Sequence, residues 1–358
     1  MSKLFSPLKI RDLEIKNRIF IAAMCQYSCE NQDGMVNEWH MVHLGSRAVG
    51  GAGLVISEAT GVVPEGRITP WCPGIWNYEQ AAAWARINEF IHAQGAKSAI
   101  QLAHAGRKGS SYRDWSGKGS VPLEKGGWQT VSSTSEPFDT YDEPRELTTD
   151  EVHETIQDFA DAAKRAVAAG FDAIEIHAAH GYLIHQFLSP ITNKRTDEFG
   201  GSLENRARLV VEIVRRVRTE IGNTLPIFVR FSATDYREDG WTLEQTQQIA
   251  AWCAEAGADM FDISSGGLIT GVKIPSGPGY QVPLAEGVAE KVDQPVGAVG
   301  QITTGAQAEE ILQGGKVDVI LIARASLRDP YWPLRAAHEL GEQIDWPNQY
   351  LRGKFPSA

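Results

Sequence analysis

Two histidines and a tyrosine stand close together in His177-Ala-Ala-His180-Gly-Tyr182. A spacing of three lets both imidazoles point to one side of a turn. A phenol with a pKa of about 10 beside them is a competent proton donor to a carbanion. Three chemistries compete for the pair. It could bind a metal with His185, or it could be two satisfied core histidines. It could also hold a substrate oxygen by two N–H donors, a clamp for developing negative charge. A zinc site wants a third close ligand, and His185 falls on the following segment. Tyr182 favours the clamp, and no metal is expected. Cys25, Cys29, Cys72 and Cys253 are sparse and complete no cluster spacing, which fits a reduced, cytoplasmic protein.

Further polar groups follow short apolar runs along the chain. They are Met24-Cys25-Gln26-Tyr27, Glu58-Ala59-Thr60, Gln101 with His104, Arg107 and Lys108, Arg230, Ser264-Ser265-Gly266-Gly267, Gly300-Gln301 and Ala323-Arg324. The runs themselves recur in one form. Ala-Gly-Phe-Asp-Ala-Ile-Glu-Ile (169–176), Ala-Gly-Ala-Asp-Met-Phe-Asp-Ile (256–263) and Gly-Lys-Val-Asp-Val-Ile-Leu-Ile (315–322) each read as a helix end, a tight loop and a strand too apolar to face water. Marking every such run predicts strands near 18–23, 53–58, 97–102, 172–177, 226–231, 259–263, 295–299 and 318–323. Helical patterns lie between them, near 38–50, 78–94, 149–169, 203–221, 243–256, 282–292, 304–313 and 331–340. Thr149 and Thr242 are read as helix starts, the latter a capping box with Gln245.

Eight alternating units imply a doubly wound sheet or a closed (β/α)8 barrel. The first strand ends in Ala22-Ala23-Met24-Cys25 rather than in the Gly-rich turn of a dinucleotide fold, which argues for the α/β class as a TIM barrel. Residues 5–16 alternate and turn at Arg11-Asp12, predicting an N-terminal β-hairpin. Residues 103–148, after the third strand, are long, polar and rich in Gly, Ser and Pro; an excursion of that length is usually functional, often a lid. No linker divides the chain, so residues 1–358 read as one domain.

In such barrels, chemistry gathers at the C-terminal strand ends, where these polar groups converge. Small residues after the seventh strand and Arg324 after the eighth suggest phosphate; the alternative is an Arg paired with a surface acid. A buried Arg230 needs an anion, either reduced flavin or a barrel carboxylate such as Glu175 or Asp262; the residues alone leave the two open. The net charge of −11 argues against a polynucleotide partner. No apolar run reaches 18 residues, and the N-terminus lacks a signal-peptide core, so no membrane partner is expected.

Four stretches in order resemble one family: Met24-Cys25-Gln26-Tyr27, Gln101-Leu-Ala-His-Ala-Gly-Arg-Lys108, His177-Ala-Ala-His180-Gly-Tyr182, and Asn193-Lys-Arg-Thr-Asp-Glu-Phe-Gly-Gly-Ser-Leu-Glu-Asn-Arg206. The whole chain resembles the old yellow enzymes, FMN-dependent ene-reductases, in their thermophilic-like branch with the xenobiotic reductases. The resemblance implies FMN across the barrel mouth, reduced by NADPH or NADH. Ala22, Ala23, Met24, Cys25 and Ala59 would meet the flavin ring, Gln101 its pyrimidine edge, and Arg230 its N1–C2=O side. Gly300, Gln301, Ala323 and Arg324 would hold the phosphate.

The same resemblance implies that His177 and His180 grip the oxygen of a small enone or nitro substrate. Tyr182 would protonate its α-carbon, Tyr27 would line the pocket, and Cys25 would tune the flavin and help bind substrate. Arg352, in the tail 341–358, would reach a neighbouring active site in a homodimer or homotetramer. Two departures stand out: Ala22-Ala23 where Ser-Pro or Pro-Pro is common, and Ala323 where Gly is usual. Another FMN barrel oxidoreductase, of hydroxy-acid oxidase or dihydroorotate dehydrogenase type, and a flavin-binding redox protein without turnover are the rival readings.

Overall fold

A computed structural model describes residues 2–356 of the chain. A hairpin opens it, with β1 (Leu8–Ile10) and β2 (Leu13–Ile15) paired antiparallel around Arg11-Asp12. The barrel strands follow: β3 (Ile19–Ile21), β4 (Leu54–Gly61) and β5 (Lys97–Ala103), then, after a small β6–β7 ladder (Val131–Ser132 with Arg145–Glu146), β8 (Ala173–Ala178), β9 (Ile227–Ser232), β10 (Met260–Ser264), β11 (Val296–Ala298) and β12 (Val319–Ile322). The eight are parallel and close in chain order, β12 pairing with β3. This is the predicted (β/α)8 barrel, and every predicted strand lies within a residue or three of the observed one.

The helices of the repeat are α1 (Glu38–Val49), α2 (Tyr78–Ala93) and α3 (Thr149–Ala168); a short α4 (Leu183–Leu188) precedes α5 (Leu203–Ile221), α6 (Leu243–Ala256), α7 (Val282–Ala289) and α8 (Gly305–Gln313), and α9 (Arg324–Arg328) precedes α10 (Trp332–Glu339). Thr148, not Thr149, caps α3. Glu151 N donates to the Thr148 hydroxyl and the Glu151 carboxylate accepts from Thr148 N, so the Thr-x-x-Glu pair selects the earlier threonine. The Thr242–Gln245 box forms as read.

Strand alternation sorts the core into two layers. Ile19, Ile21, Val55, Ile100, Ile174 and Val229 face the helices. Phe20, Leu54, Ala99, Ala173, Phe228, Met260 and Leu321 fill the barrel, joined by Ile10, Leu13 and Ile15 of the hairpin. The hairpin therefore plugs the N-terminal end. The C-terminal ends of the strands are left open, and the polar groups stand there. Among the described residues no helix is long and apolar enough to cross a membrane.

Candidate active site

Strand register fixes the deepest part of the site. Gln101 of β5 is in register with Glu175 of β8, and Arg230 of β9 lies between His177 of β8 and Asp262 of β10. Gln101 Nε2 donates to Glu175 Oε2 at 2.6 Å, and Arg230 Nε is 2.9 Å from Asp262 Oδ2. The barrel-carboxylate reading of Arg230 is thus realised, while its guanidinium also lines the cavity described below. Burial, then the neighbouring Asp262, pushes the Glu175 carboxyl up to about 8, with Arg230 opposing. Burial raises Asp262 as well.

His177, His180 and Tyr182 converge at the end of β8. The two imidazole centroids are 5.3 Å apart and the His177 and Tyr182 rings 5.0 Å apart, both edge-on. Burial, then the Arg230 charge, holds both histidines well below the usual imidazole value, so both are neutral and each has one ring N–H. His177 Nδ1 accepts from Ala179 N at 3.4 Å, which puts its proton on Nε2. His180 Nε2 lies 2.7 Å from Ser264 Oγ. Burial, then Cys25, raises the Tyr182 phenol, which stays protonated at neutral pH.

His180 has φ of 57° and Gly181 of 75°. A Cβ at Gly181 would sit 2.3 Å from Gly267 O, so only glycine lets the β8 loop pass the β10 loop this closely. Lys108 joins both loops, donating from Nζ to His180 O and Gly267 O at 2.9 Å each, with its ammonium 5.1 Å from the Tyr182 ring centre. Burial, then Arg107, lowers its pKa to about 8. His185 does not join the pair: it is fully buried against Asp235 at 3.0 Å, and its Nδ1 accepts from Gly181 N. Among the described residues no group of three side chains is arranged to hold a metal ion.

The loop after β3 supplies a third group. Cys25, Tyr27 and Tyr182 pack on Ala59, Ile68, Cys72, Ala103 and Ala105. Tyr27 has φ of 53°, a conformation that needs outside support. Glu58 gives it. The register of β4 shifts between Ile56 and Ala59, and the Glu58 carboxylate accepts from Gln26 N at 2.7 Å and Tyr27 N at 3.3 Å, with His40 Nε2 at 3.4 Å from its other oxygen. Burial, then Cys72 and Glu58, raises the Cys25 thiol, so it is not a thiolate at neutral pH.

A cavity of about 490 Å³ opens at the ends of β9 to β12, lined by Arg230, Gly300, Gln301, Ala323, Arg324 and Arg328 among others. Gly300 adopts φ of 128°, and a Cβ there would meet Gln281 Nε2 at 3.1 Å and the Tyr280 ring at 3.2 Å. Arg324 and Arg328 make no ion pair among the described residues, so two cations face the cavity without an anion. Ala22, Ala23 and Ala323 pack on the barrel-filling cluster, and Met24 on the outer one. Small residues below, a cation and an amide at one end and unpaired guanidiniums at the other fit a planar heterocycle with a phosphate tail, as FMN is.

Most of the predicted site residues thus meet at one rim. Arg352 does not: it lies on an exposed 3-10 turn, Asn348–Gly353. Sequence reasoning passed over Glu58 and Lys108 as functional supports; a lone carboxylate in an apolar strand was the available signal for the first. It also missed Gln281, which accepts from Ser265 Oγ at 2.6 Å and from Ser264 Oγ at 3.3 Å behind His180. No local pattern marks it.

Residues 3–343 match the model of the NADH:flavin oxidoreductase / NADH oxidase family. The chain is 47% identical over 350 residues to an NADPH dehydrogenase of Halalkalibacterium halodurans, covering 98% of both. Among solved structures, an old yellow enzyme homologue from Zymomonas mobilis superimposes with a TM-score of 0.78 at 28% identity, covering 99% of each chain. Morphinone reductase in complex with tetrahydroNAD gives 0.79 at 26%, over 97% of this chain and 93% of that one. A 2-naphthoyl-CoA reductase gives 0.86 at 31%; this chain is covered to 95% and spans about half, 52%, of that protein.

Proposed function

The chain belongs to the NADH:flavin oxidoreductase / NADH oxidase family, that of the old yellow enzymes, and from that premise we propose that it reduces the activated C=C bond of small α,β-unsaturated carbonyl or nitro compounds. It is an FMN-dependent oxidoreductase with a nicotinamide reductant. The observation that carries the ene-reductase reading is the meeting of two neutral imidazoles and a protonated phenol beside the cavity.

FMN, when bound, would supply the hydride chemistry that links the nicotinamide reductant to the alkene β-carbon. Ala22, Ala23, Met24, Cys25 and Ala59 would hold its ring, Gln101 and Arg230 its pyrimidine edge, and Gly300, Gln301, Ala323 and Arg324 its phosphate. His177 donates from Nε2 to the substrate oxygen. His180 keeps an N–H on Nδ1 for the same oxygen when the Ser264 hydroxyl turns from Gln281 to donate to His180 Nε2 at 2.7 Å. Two N–H donors aimed at an oxygen that gains charge lower the barrier more than they bind the ground state. Tyr182 gives its proton to the α-carbon. Tyr27 lines the pocket, and Cys25, an uncharged thiol packed in the same cluster, would tune the flavin and help bind substrate. The C-terminal turn with Arg352 belongs, on this reading, to a subunit interface of a cytoplasmic homodimer or homotetramer.

The test is an anaerobic absorbance series on the purified protein. The flavin band should bleach with NADPH and return with cyclohexenone. A band that bleaches with a hydroxy acid or dihydroorotate and does not return with cyclohexenone would replace this reading with the rival flavin-barrel oxidoreductase.

A further inference from the structure

We propose that Trp115 and Tyr27 form an outer subsite that takes the second ring of a flat, fused-ring ligand whose first ring lies under Tyr182. This inference rests on the placement of the substrate pocket above and adds a selectivity to it.

The excursion after β5 carries the argument. Its first part is a closed turn: Ser111 and Ser120 form a bridge, Tyr112 N donates to Gly119 O at 3.1 Å, and Ser116 N donates to Arg113 O at 2.8 Å. The turn is tied to the loop that bears Tyr27. Arg113 Nη1 donates to Tyr27 O at 3.3 Å and to Glu30 at 2.7 Å, and its guanidinium stacks 4.3 Å from the Trp71 ring and 5.5 Å from the Trp115 ring. The guanidinium thus fixes the indole from behind, so the tip does not pay much further ordering entropy when a ligand arrives.

Trp115 stands 6.1 Å from the Tyr27 ring, at 47° to it, and is 66% exposed. A single exposed indole is ordinary; this one continues an aromatic wall that starts inside the pocket. Tyr27 packs in one cluster with Cys25 and Tyr182, and Asp114, next to Trp115, is near enough to Tyr182 to add to the rise of its phenol. The tip therefore hangs over the site rather than away from it. The far side of the pocket is closed by Phe138, 4.5 Å from Lys108 Nζ and 5.4 Å from the Tyr141 ring. On this placement a one-ring ligand under Tyr182 would end at Tyr27, whereas a two-ring ligand would extend along Tyr27 to Trp115 and gain an offset aromatic contact.

Dissociation constants of phenol and 2-naphthol for the oxidised FMN-loaded protein, read from the perturbed flavin absorbance, test this. Trp115→Ala should weaken 2-naphthol about tenfold and leave phenol within about twofold, the size of one aromatic contact. Trp115→Phe should recover most of the loss. The unchanged phenol constant reports that the pocket itself is intact. Equal weakening of both ligands, no weakening of 2-naphthol, or a wild-type protein that does not prefer 2-naphthol would each overturn the subsite. Absence of enone turnover alongside the predicted binding difference would count against the ene-reductase reading only.

Discussion

Arg230, buried, and Lys108, half-buried, are two cations of one site, held in different ways. Arg230 stands on a barrel strand and meets the Asp262 carboxylate at 2.9 Å. Lys108 stands on a loop, makes no ion pair among the described residues, and is held by two backbone carbonyls and the faces of Phe138 and Tyr182. On the strands, register sets which side chains face each other, so charge can be matched by charge. At the rim, three loops must be tied together, and one ammonium on the carbonyls of two of them does this without placing an anion near the substrate oxygen. The histidines beside it stay neutral because burial, and then the Arg230 charge, disfavours their protonation. Interior and rim thus divide the work: balanced charge below, neutral donors above.

The sharpest way to break this division is Arg230→Met. It leaves Asp262 buried without its cation. Loss of one partner of a buried pair costs about 3–5 kcal/mol. Denaturant unfolding of the holoprotein should show a loss of that size, together with release of flavin on dilution. A variant of near wild-type stability that retains flavin would mean that the interior does not depend on matched charge.

A smaller effect separates the regions by pH. Burial lowers His104 to about 4 at the rim, and lowers His177 and His180 well below the usual value. Their stability contribution is complete above about 6.5 and is lost as pH falls toward the folded values; for His104 alone the loss at pH 5 is about 2 kcal/mol. Glu175 tilts the other way. Its folded value, about 8, lies above the unfolded one, so the native state holds an extra proton and stability falls as pH rises from about 4.5 to about 8. The melting temperature should therefore fall on both sides of neutrality, and Glu175→Gln should flatten the alkaline side and steepen the acid side, where Glu175 opposes the histidines. An unchanged alkaline slope in that variant would place the interior proton elsewhere.

Much of this was legible in the chain itself. All eight barrel strands and the eight helices between them follow from apolar runs and their closing glycines, because a parallel barrel imposes one repeated pattern. The short α4 escaped notice: Leu183-Ile-His-Gln-Phe-Leu188 is buried on every side, so it shows no helical period. The α3 cap was misplaced by one residue because Glu151, which decides it, was left out of account. Tyr182, His177 and His180 were readable from spacing, since a single turn brings them together. Glu58 and Lys108 were visible as residues but not as supports, because each acts on backbone atoms distant in sequence. Gln281 reaches Ser264 and Ser265 across a loop of irregular structure, which no local signal encodes. The role proposed for Arg352 needs a second subunit, which one chain's fold does not place.

The account turns on Tyr182 as proton donor, and stopped-flow measurement of the two half-reactions of Tyr182→Phe tests it most directly. Reduction of the flavin by NADPH should stay within about twofold of wild type, while its reoxidation by cyclohexenone slows by about 10²–10⁴. Reoxidation at the wild-type rate would show that the proton comes from elsewhere and that the convergence of His177, His180 and Tyr182 does not perform the chemistry assigned to it.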